Sequence, residues 1–136
     1  MRFSSAIITV LLSDDNLTLR TIARKTLSKH PDFRIVAEAT NGREAVYLAQ
    51  QHRPAVCVMD IEMPEVNGIE ATREICRTLP GTKVLMFSSN TSLSDIEKAA
   101  AAGASGFVAK NCPAELPKAI RTIIQDATFY LGLPEG

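Results

Sequence analysis

Short apolar runs alternate with longer amphipathic stretches along the chain. Runs such as residues 6–12 and 55–59 are apolar on both faces, which is typical of strands in a sheet that is covered on both sides. The stretches between them repeat apolar residues every three or four positions, which predicts helices. The predicted strands cover residues 6–12, 33–40, 55–59, 83–87 and 106–109.

Five helices are predicted, one after each strand, and the last has the clearest periodicity. Its apolar positions are Leu116, Ala119, Ile120, Ile123, Ile124 and Ala127. Because Pro117 removes a helix hydrogen-bond donor, we expect this helix to begin near residues 115–116, with Pro117 in its first turn. The apolar positions of the first helix are Leu19, Ile22, Ala23 and Leu27. The inward residues expected of the fourth helix are Leu93, Ile96 and Ala100.

Strict alternation of strands and helices predicts an α/β fold with an open, doubly wound, five-stranded parallel sheet and helices on both faces. A closed barrel would need eight such units. The 136 residues fit a single domain. We expect that domain over residues 1–127, followed at 128–136 by a tail or the start of a linker, whose apolar residues could also pack on the core.

Charge and cysteine usage exclude several classes of protein. Lys plus Arg and Asp plus Glu both number 15, whereas a domain that binds nucleic acid by itself usually carries a basic excess. The three cysteines are scattered and form no CxxC pair, which favours free thiols in the cytoplasm over zinc ligands. No apolar run reaches the ~20 residues that span a bilayer, so no membrane contact is expected.

The strands end in polar residues that suit phosphate chemistry. In an open parallel sheet, ligands bind at the carboxyl ends of the strands. Carboxylates about 4 Å apart repel by about 4 kcal/mol per pair at an effective dielectric near 20, so three of them need either a shifted protonation state or a cation. Mg²⁺ prefers such oxygen ligands. A lysine and a hydroxyl complete a set suited to phosphoryl transfer to a carboxylate. The residues are Asp14, Asp15, Asp60, Ser88 and Lys110.

Over nearly its full length the chain resembles the receiver domain of two-component response regulators. The segments that carry the resemblance are Leu12-Ser-Asp-Asp15, Met59-Asp-Ile-Glu-Met-Pro64 followed by Asn67-Gly68, Phe87-Ser-Ser89, and Gly103-Ala-Ser-Gly-Phe-Val-Ala-Lys110. The resemblance implies a flavodoxin-like (βα)5 fold. It also implies a signalling domain that is not an enzyme beyond its own phosphorylation and dephosphorylation.

The resemblance assigns a role to each candidate residue. Asp60 would accept a phosphoryl group from a sensor histidine kinase, a phosphotransfer protein or a small phosphodonor. The Mg²⁺ ligands would be Asp14, Asp15, Asp60 and the backbone carbonyl of Glu62. Lys110 would contact the phosphoryl group, Ser88 would be the switch hydroxyl and Phe107 the switch aromatic. The switch would alter the surface of helix four, strand five and helix five, and a phosphorylation-dependent homodimer is a possible outcome.

Some positions depart from the family pattern or suggest additional roles. Receivers usually carry proline after the lysine, whereas this chain has Asn111, for which a trans peptide bond is expected. Glu62 and Asn90 match positions that line the path of hydrolytic water, and acidic Glu62 is a candidate modulator of dephosphorylation. The basic residues of the first helix, a candidate kinase-docking face or simply a solvated one, are Arg20, Arg24, Lys25 and Lys29.

The output admits more than one interpretation. The sequence most resembles receivers that carry a C-terminal helix-turn-helix DNA-binding domain, which favours a role in transcription, with no nucleic acid bound by this domain alone. A stand-alone receiver that signals by protein contact is the alternative. An aspartate-nucleophile phosphatase of the haloacid dehalogenase type would need aspartate at position 62, and a flavin binder would meet repulsion between the flavin phosphate and the acids at 14–15.

Overall fold

The computed structural model describes residues 6–89 and 92–131. In chain order the elements are β1 (Ile8–Ser13), α1 (Leu17–Ser28), β2 (Phe33–Ala39), α2 (Gly42–His52), β3 (Val56–Met59), α3 (Gly68–Thr78), β4 (Lys83–Ser88), α4 (Leu93–Ala102), β5 (Gly106–Ala109), a 3₁₀ turn (Pro113–Glu115), α5 (Leu116–Ile123) and β6 (Phe129–Leu131). Within these ranges, no helix has the length and hydropathy needed to cross a bilayer.

The strands form one parallel sheet in the order β2-β1-β3-β4-β5-β6. One core lies on the face covered by α2, α3 and α4, and a second lies on the face covered by α1 and α5. The doubly wound α/β prediction is therefore confirmed. Since the strand order reverses between β1 and β3, their carboxyl ends are neighbours at the switch point, where ligands bind in such sheets.

The sheet has one strand more than the five predicted. Phe129, Tyr130 and Leu131 pair in parallel with Gly106, Phe107 and Val108, in a segment that was expected to be a tail or linker. Three residues are too few to display the two-residue period of a strand, so the sequence pattern does not reveal β6. The predicted domain boundary after residue 127 stays a prediction, and residues 132–136 lie outside the described part of the chain.

Helix α5 begins where the prolines predict, whereas its end is earlier than expected. The 3₁₀ turn leads into Leu116, and Pro117 lies in the first helical turn, where its missing N–H interrupts no helix hydrogen bond. The helix ends at Ile123 and leaves Ala127 exposed. All peptide bonds of the described residues are trans, as expected at Asn111.

Two residues expected to face the core, and one apolar position of α1, lie outside it. Ile22 of α1 is 40% exposed, Leu93 of α4 is 58% exposed, and Ala100 is also exposed. Helix α4 instead buries Ile96 together with two residues of its alanine run, Ala99 and Ala102. Because alanines occupy both the buried and the exposed face of this run, its composition gives no periodic signal for the orientation of the helix.

An ion pair joins α5 to the turn that precedes β2. The Arg121 guanidinium donates from Nε to Asp32 Oδ2 (3.0 Å) and from Nη2 to Asp32 Oδ1 (2.9 Å), and it lies 4.9 Å from the centre of the Phe33 ring. The hydrogen bonds from Arg121 lower the pKa of Asp32 below its usual value of 3.8. The pair therefore stabilises the folded protein only while Asp32 is ionised.

Replacing Asp32 with asparagine should lower the free energy of unfolding by roughly 0.5–1 kcal/mol at pH 7, since both side chains remain partly exposed. A carboxyl group whose pKa is lowered by folding stabilises the protein above its unfolded pKa of about 3.8, and this contribution disappears as the pH falls through the folded value. Urea denaturation from pH 7 to pH 3 should therefore show wild type and variant converging below about pH 3.8. A difference that persists undiminished at pH 3 would contradict the assignment.

Candidate functional site

The parallel sheet brings the predicted site residues to one edge. Asp14 follows β1, Asp60 follows β3, Ser88 ends β4 and Lys110 follows β5. The backbone pairing continues one residue past the strands, since the Asp60 N–H donates to the Ser13 carbonyl (3.0 Å) and the Lys110 N–H donates to the Ser88 carbonyl (3.1 Å). The backbone ladder thus sets the relative heights of the side chains at this edge.

Lys110 lies between two buried carboxylates. Its Nζ is 2.6 Å from Asp14 Oδ2 and 3.1 Å from Asp60 Oδ2, and all three side chains are less than a tenth exposed. Asp15 is exposed, and one carboxylate oxygen from each of Asp14, Asp15 and Asp60 lies within 4.8 Å of the others. The predicted meeting of three acids and one lysine at a single site is confirmed by these distances.

Burial and neighbouring charge act in opposite directions on Asp60. Burial raises the pKa of its carboxyl group, and the nearby Asp14 charge adds to that rise. The positive charge and the hydrogen bond of Lys110 oppose it, as does a hydrogen bond from Ser88, whose side chain is fully buried. Lys110 and Ser88 therefore favour the ionised form of Asp60, against the effect of burial.

The donor set at this edge fits a magnesium ion. Three carboxylates within 4.8 Å of one another offer the oxygen ligands that Mg²⁺ prefers, and the exposure of Asp15 leaves room for the water that the ion retains. Glu62 lies two residues beyond Asp60 with an exposed side chain, and the role of its backbone carbonyl as a further ligand stays a prediction. Asn90 lies outside the described residues.

Two glycines hold the loop that follows Asp60. The Gly68 N–H donates to the Ile61 carbonyl (2.7 Å), and a Cβ atom on Gly68 would fall well inside contact distance of the Asp60 carbonyl oxygen. At the other end of the loop, a Cβ atom on Gly42 would collide with the Val66 carbonyl oxygen. The loop is therefore packed backbone to backbone at both ends, which requires residues without side chains.

The predicted switch aromatic is buried, whereas two residues of the predicted basic face form ion pairs. Phe107 is 1% exposed and packs in the core beneath α3 and α4. Arg20 and Arg24 of α1 are not simply solvated, because both pair with Glu38 at the end of β2. These ion pairs with Glu38 were not expected from the sequence. The signal that the sequence offered was the four-residue spacing of Arg20 and Arg24, which places both on one face of the helix.

Comparisons with known proteins identify the family. The family model described as "Response regulator receiver domain" matches residues 10–121. The chain is 34% identical over 123 residues to "Transcriptional regulatory protein DegU" of Brevibacillus brevis, with 90% of this chain and 52% of that protein covered. It is 49% identical over 102 residues to a "Protein-glutamate methylesterase/protein-glutamine glutaminase" of Alkalilimnicola ehrlichii, covering 74% of this chain and 26% of that protein.

A solved structure agrees with the sequence relatives. A LuxR-family two-component response regulator from an Aurantimonas species has a TM-score of 0.86 at 34% identity, with 91% of this chain and 89% of that chain covered. Because the chain spans about half or less of the two sequence relatives above, the likeness concerns the part that they share. The family model covers most of the chain, and the chain belongs to the response regulator receiver domain family.

Proposed function

We propose that this domain accepts a phosphoryl group on Asp60 and converts that modification into a change of its surface. The observation that carries the proposal is the buried contact of Lys110 with both Asp14 and Asp60 at the switch point of the sheet. An acidic cluster with a buried lysine suits the binding of a phosphoryl group together with a divalent cation.

The chemistry is nucleophilic substitution at phosphorus. An Asp60 oxygen forms a bond to phosphorus while the bond to the donor nitrogen or oxygen breaks, and that donor atom leaves with the electron pair. Mg²⁺ held by Asp14, Asp15 and Asp60 would neutralise charge on the transferred group. Lys110 contributes a fixed positive charge and Ser88 a hydroxyl donor, so both are positioned to contact phosphoryl oxygens.

The energy of the switch requires more than Ser88. A hydrogen bond to a charged group contributes about 1.5–3 kcal/mol, whereas moving an equilibrium from 1:99 to 99:1 requires about 5.5 kcal/mol. Lys110 or a binding partner must supply the remainder. A homodimer that forms through α4, β5 and α5 would do so, and Leu93 on that surface is 58% exposed.

The output we propose is control of transcription, in a protein whose DNA-binding surface lies outside these residues. The transcriptional regulator among the relatives supports this, and the balanced charge of the chain argues against DNA binding by the domain itself. A sensor histidine kinase or phosphotransfer protein is the proposed donor. The cytoplasm is the proposed location, consistent with three free cysteines. A receiver acting by protein contact alone remains the second candidate.

Phosphorylation of Asp60 can be tested with acetyl phosphate and Mg²⁺ on phosphate-affinity gels. Wild type should show a retarded band that disappears with EDTA, and Asp60→Ala should show none. Asp126→Ala removes an exposed acid that pairs with Lys83, the first residue of β4, and it should behave as wild type. Persistent phosphorylation of Asp60→Ala would refute the assignment, and release of phosphate from simple phosphoesters would favour the phosphatase alternative.

A further inference from the structure

The Arg20 side chain reaches from α1 to the strand end that carries the acids. Its Nη1 donates to the backbone carbonyl of Asp14 (2.6 Å), and its Nε donates to Glu38 Oε1 (2.7 Å). Only 12% of this side chain is exposed. The guanidinium therefore joins α1, β2 and the end of β1 through two charge-assisted hydrogen bonds.

Every polar group of Asp14 is occupied. Its N–H donates to the Ala39 carbonyl (3.0 Å) as the last step of the β1–β2 pairing, and its Oδ1 accepts from the Asn16 N–H (2.9 Å). Its Oδ2 contacts Lys110 Nζ. The carbonyl lies beyond the strand ladder, and Arg20 is the group that binds it. Without the Arg20 hydrogen bond, the turn between β1 and α1 would lose one of the contacts that hold its backbone in place.

Glu38 determines the direction of the Arg20 guanidinium. Its carboxylate accepts from Arg20 Nε and also from Arg24 Nη1, which lies 2.9 Å from Oε2 and 3.1 Å from Oε1. Arg24 is 37% exposed, and among the residues that the structure describes its hydrogen-bond partner is Glu38. The two arginines thus share one acidic partner on the same helix, but only Arg20 continues to Asp14.

We propose that Arg20 is a positioning residue for the acidic site: oriented by Glu38, it fixes the backbone of Asp14 and thereby the placement of the Asp14 and Asp15 carboxylates. Its hydrogen bonds go to Glu38 and to the Asp14 carbonyl, so it acts on the site through Asp14. Arg20 holds the Asp14 and Asp15 carboxylates close together before the cation binds, although their negative charges repel each other.

The first test needs no metal. The Asn16 N–H donates to Asp14 Oδ1, so its hydrogen exchange reports where that carboxylate lies. In metal-free buffer, Arg20→Gln should speed exchange at Asn16 at least about 10-fold, and Arg24→Gln, which removes the other pair on Glu38, should change it less than twofold. Equal effects of the two variants would overturn the proposal.

The second test measures Mg²⁺ binding by titration calorimetry of the unphosphorylated protein, beside urea unfolding in EDTA. Arg20→Gln should weaken Mg²⁺ about 10-fold, while Arg24→Gln should leave affinity within twofold at a comparable stability. Glu38→Gln keeps Arg20 but removes the carboxylate that orients it, and it should give an intermediate loss of Mg²⁺ affinity. This variant provides the test even if Arg20→Gln folds poorly. Unchanged affinity in both Arg20→Gln and Glu38→Gln would overturn the proposal.

This inference rests on the proposed Mg²⁺-dependent function only for its second test. If wild type bound no Mg²⁺, the proposed function would fail, whereas hydrogen exchange at Asn16 would still decide the role of Arg20.

Discussion

Gly68→Ala should lower the free energy of unfolding by about 3 kcal/mol and strongly reduce phosphorylation of Asp60. The new methyl group would meet the backbone carbonyl oxygen of Asp60, which has no freedom to rotate away. Since the Gly68 N–H also donates to Ile61, the helix start cannot withdraw without breaking that hydrogen bond. The collision therefore displaces Asp60, the proposed phosphoacceptor, and both effects share one cause.

Gly81→Ala is the matched control, because no atom lies within 4 Å of its Cβ position. It should change stability by no more than about 0.5 kcal/mol and leave phosphorylation unchanged. Urea unfolding and gel-shift rates with acetyl phosphate measure the two properties. If Gly68→Ala matched Gly81→Ala in both, the close packing of the loop would not be what holds Asp60.

Lys110→Met should destabilise the metal-free protein by about 3 kcal/mol, because it leaves Asp14 and Asp60 buried together without their shared cation. Phosphorylation should fall about 100-fold, since the positive charge proposed to contact the phosphoryl oxygens is lost. Excess Mg²⁺ should restore more stability to the variant than it adds to wild type. The ion would then supply the only positive charge shared by the two carboxylates.

Lys118→Met removes an exposed lysine of α5 and provides the control for loss of charge. Its stability in EDTA and in Mg²⁺ should follow wild type. Unfolding curves of wild type, Lys110→Met and Lys118→Met, with and without Mg²⁺, test whether the two carboxylates need the lysine. Wild-type stability of Lys110→Met in EDTA would show that the two carboxylates do not need the lysine.

The sequence predicted those parts of the fold that a hydrophobic period or the chemical type of a residue indicates. Runs such as 6–12 and 55–59 are apolar on both faces, so the parallel, doubly covered sheet followed, and the polar strand ends placed the acids and Lys110 together. The orientation of α4 was not predictable, since its alanines fit either face. The contact of Arg20 with Asp14 was hidden as well, because it joins a side chain to a backbone carbonyl, and a carbonyl has no signature in sequence.

The short strand β6 also determines at which rim of the sheet the described part of the chain ends. Helix α5 runs back from the end of β5 towards the amino ends of the strands, so a chain leaving it directly would depart opposite Asp60. Parallel pairing of Phe129–Leu131 with β5 returns the backbone by about 10 Å towards the acidic rim. Leu131 therefore lies towards the same rim as Asp60, beside the strand that carries Phe107.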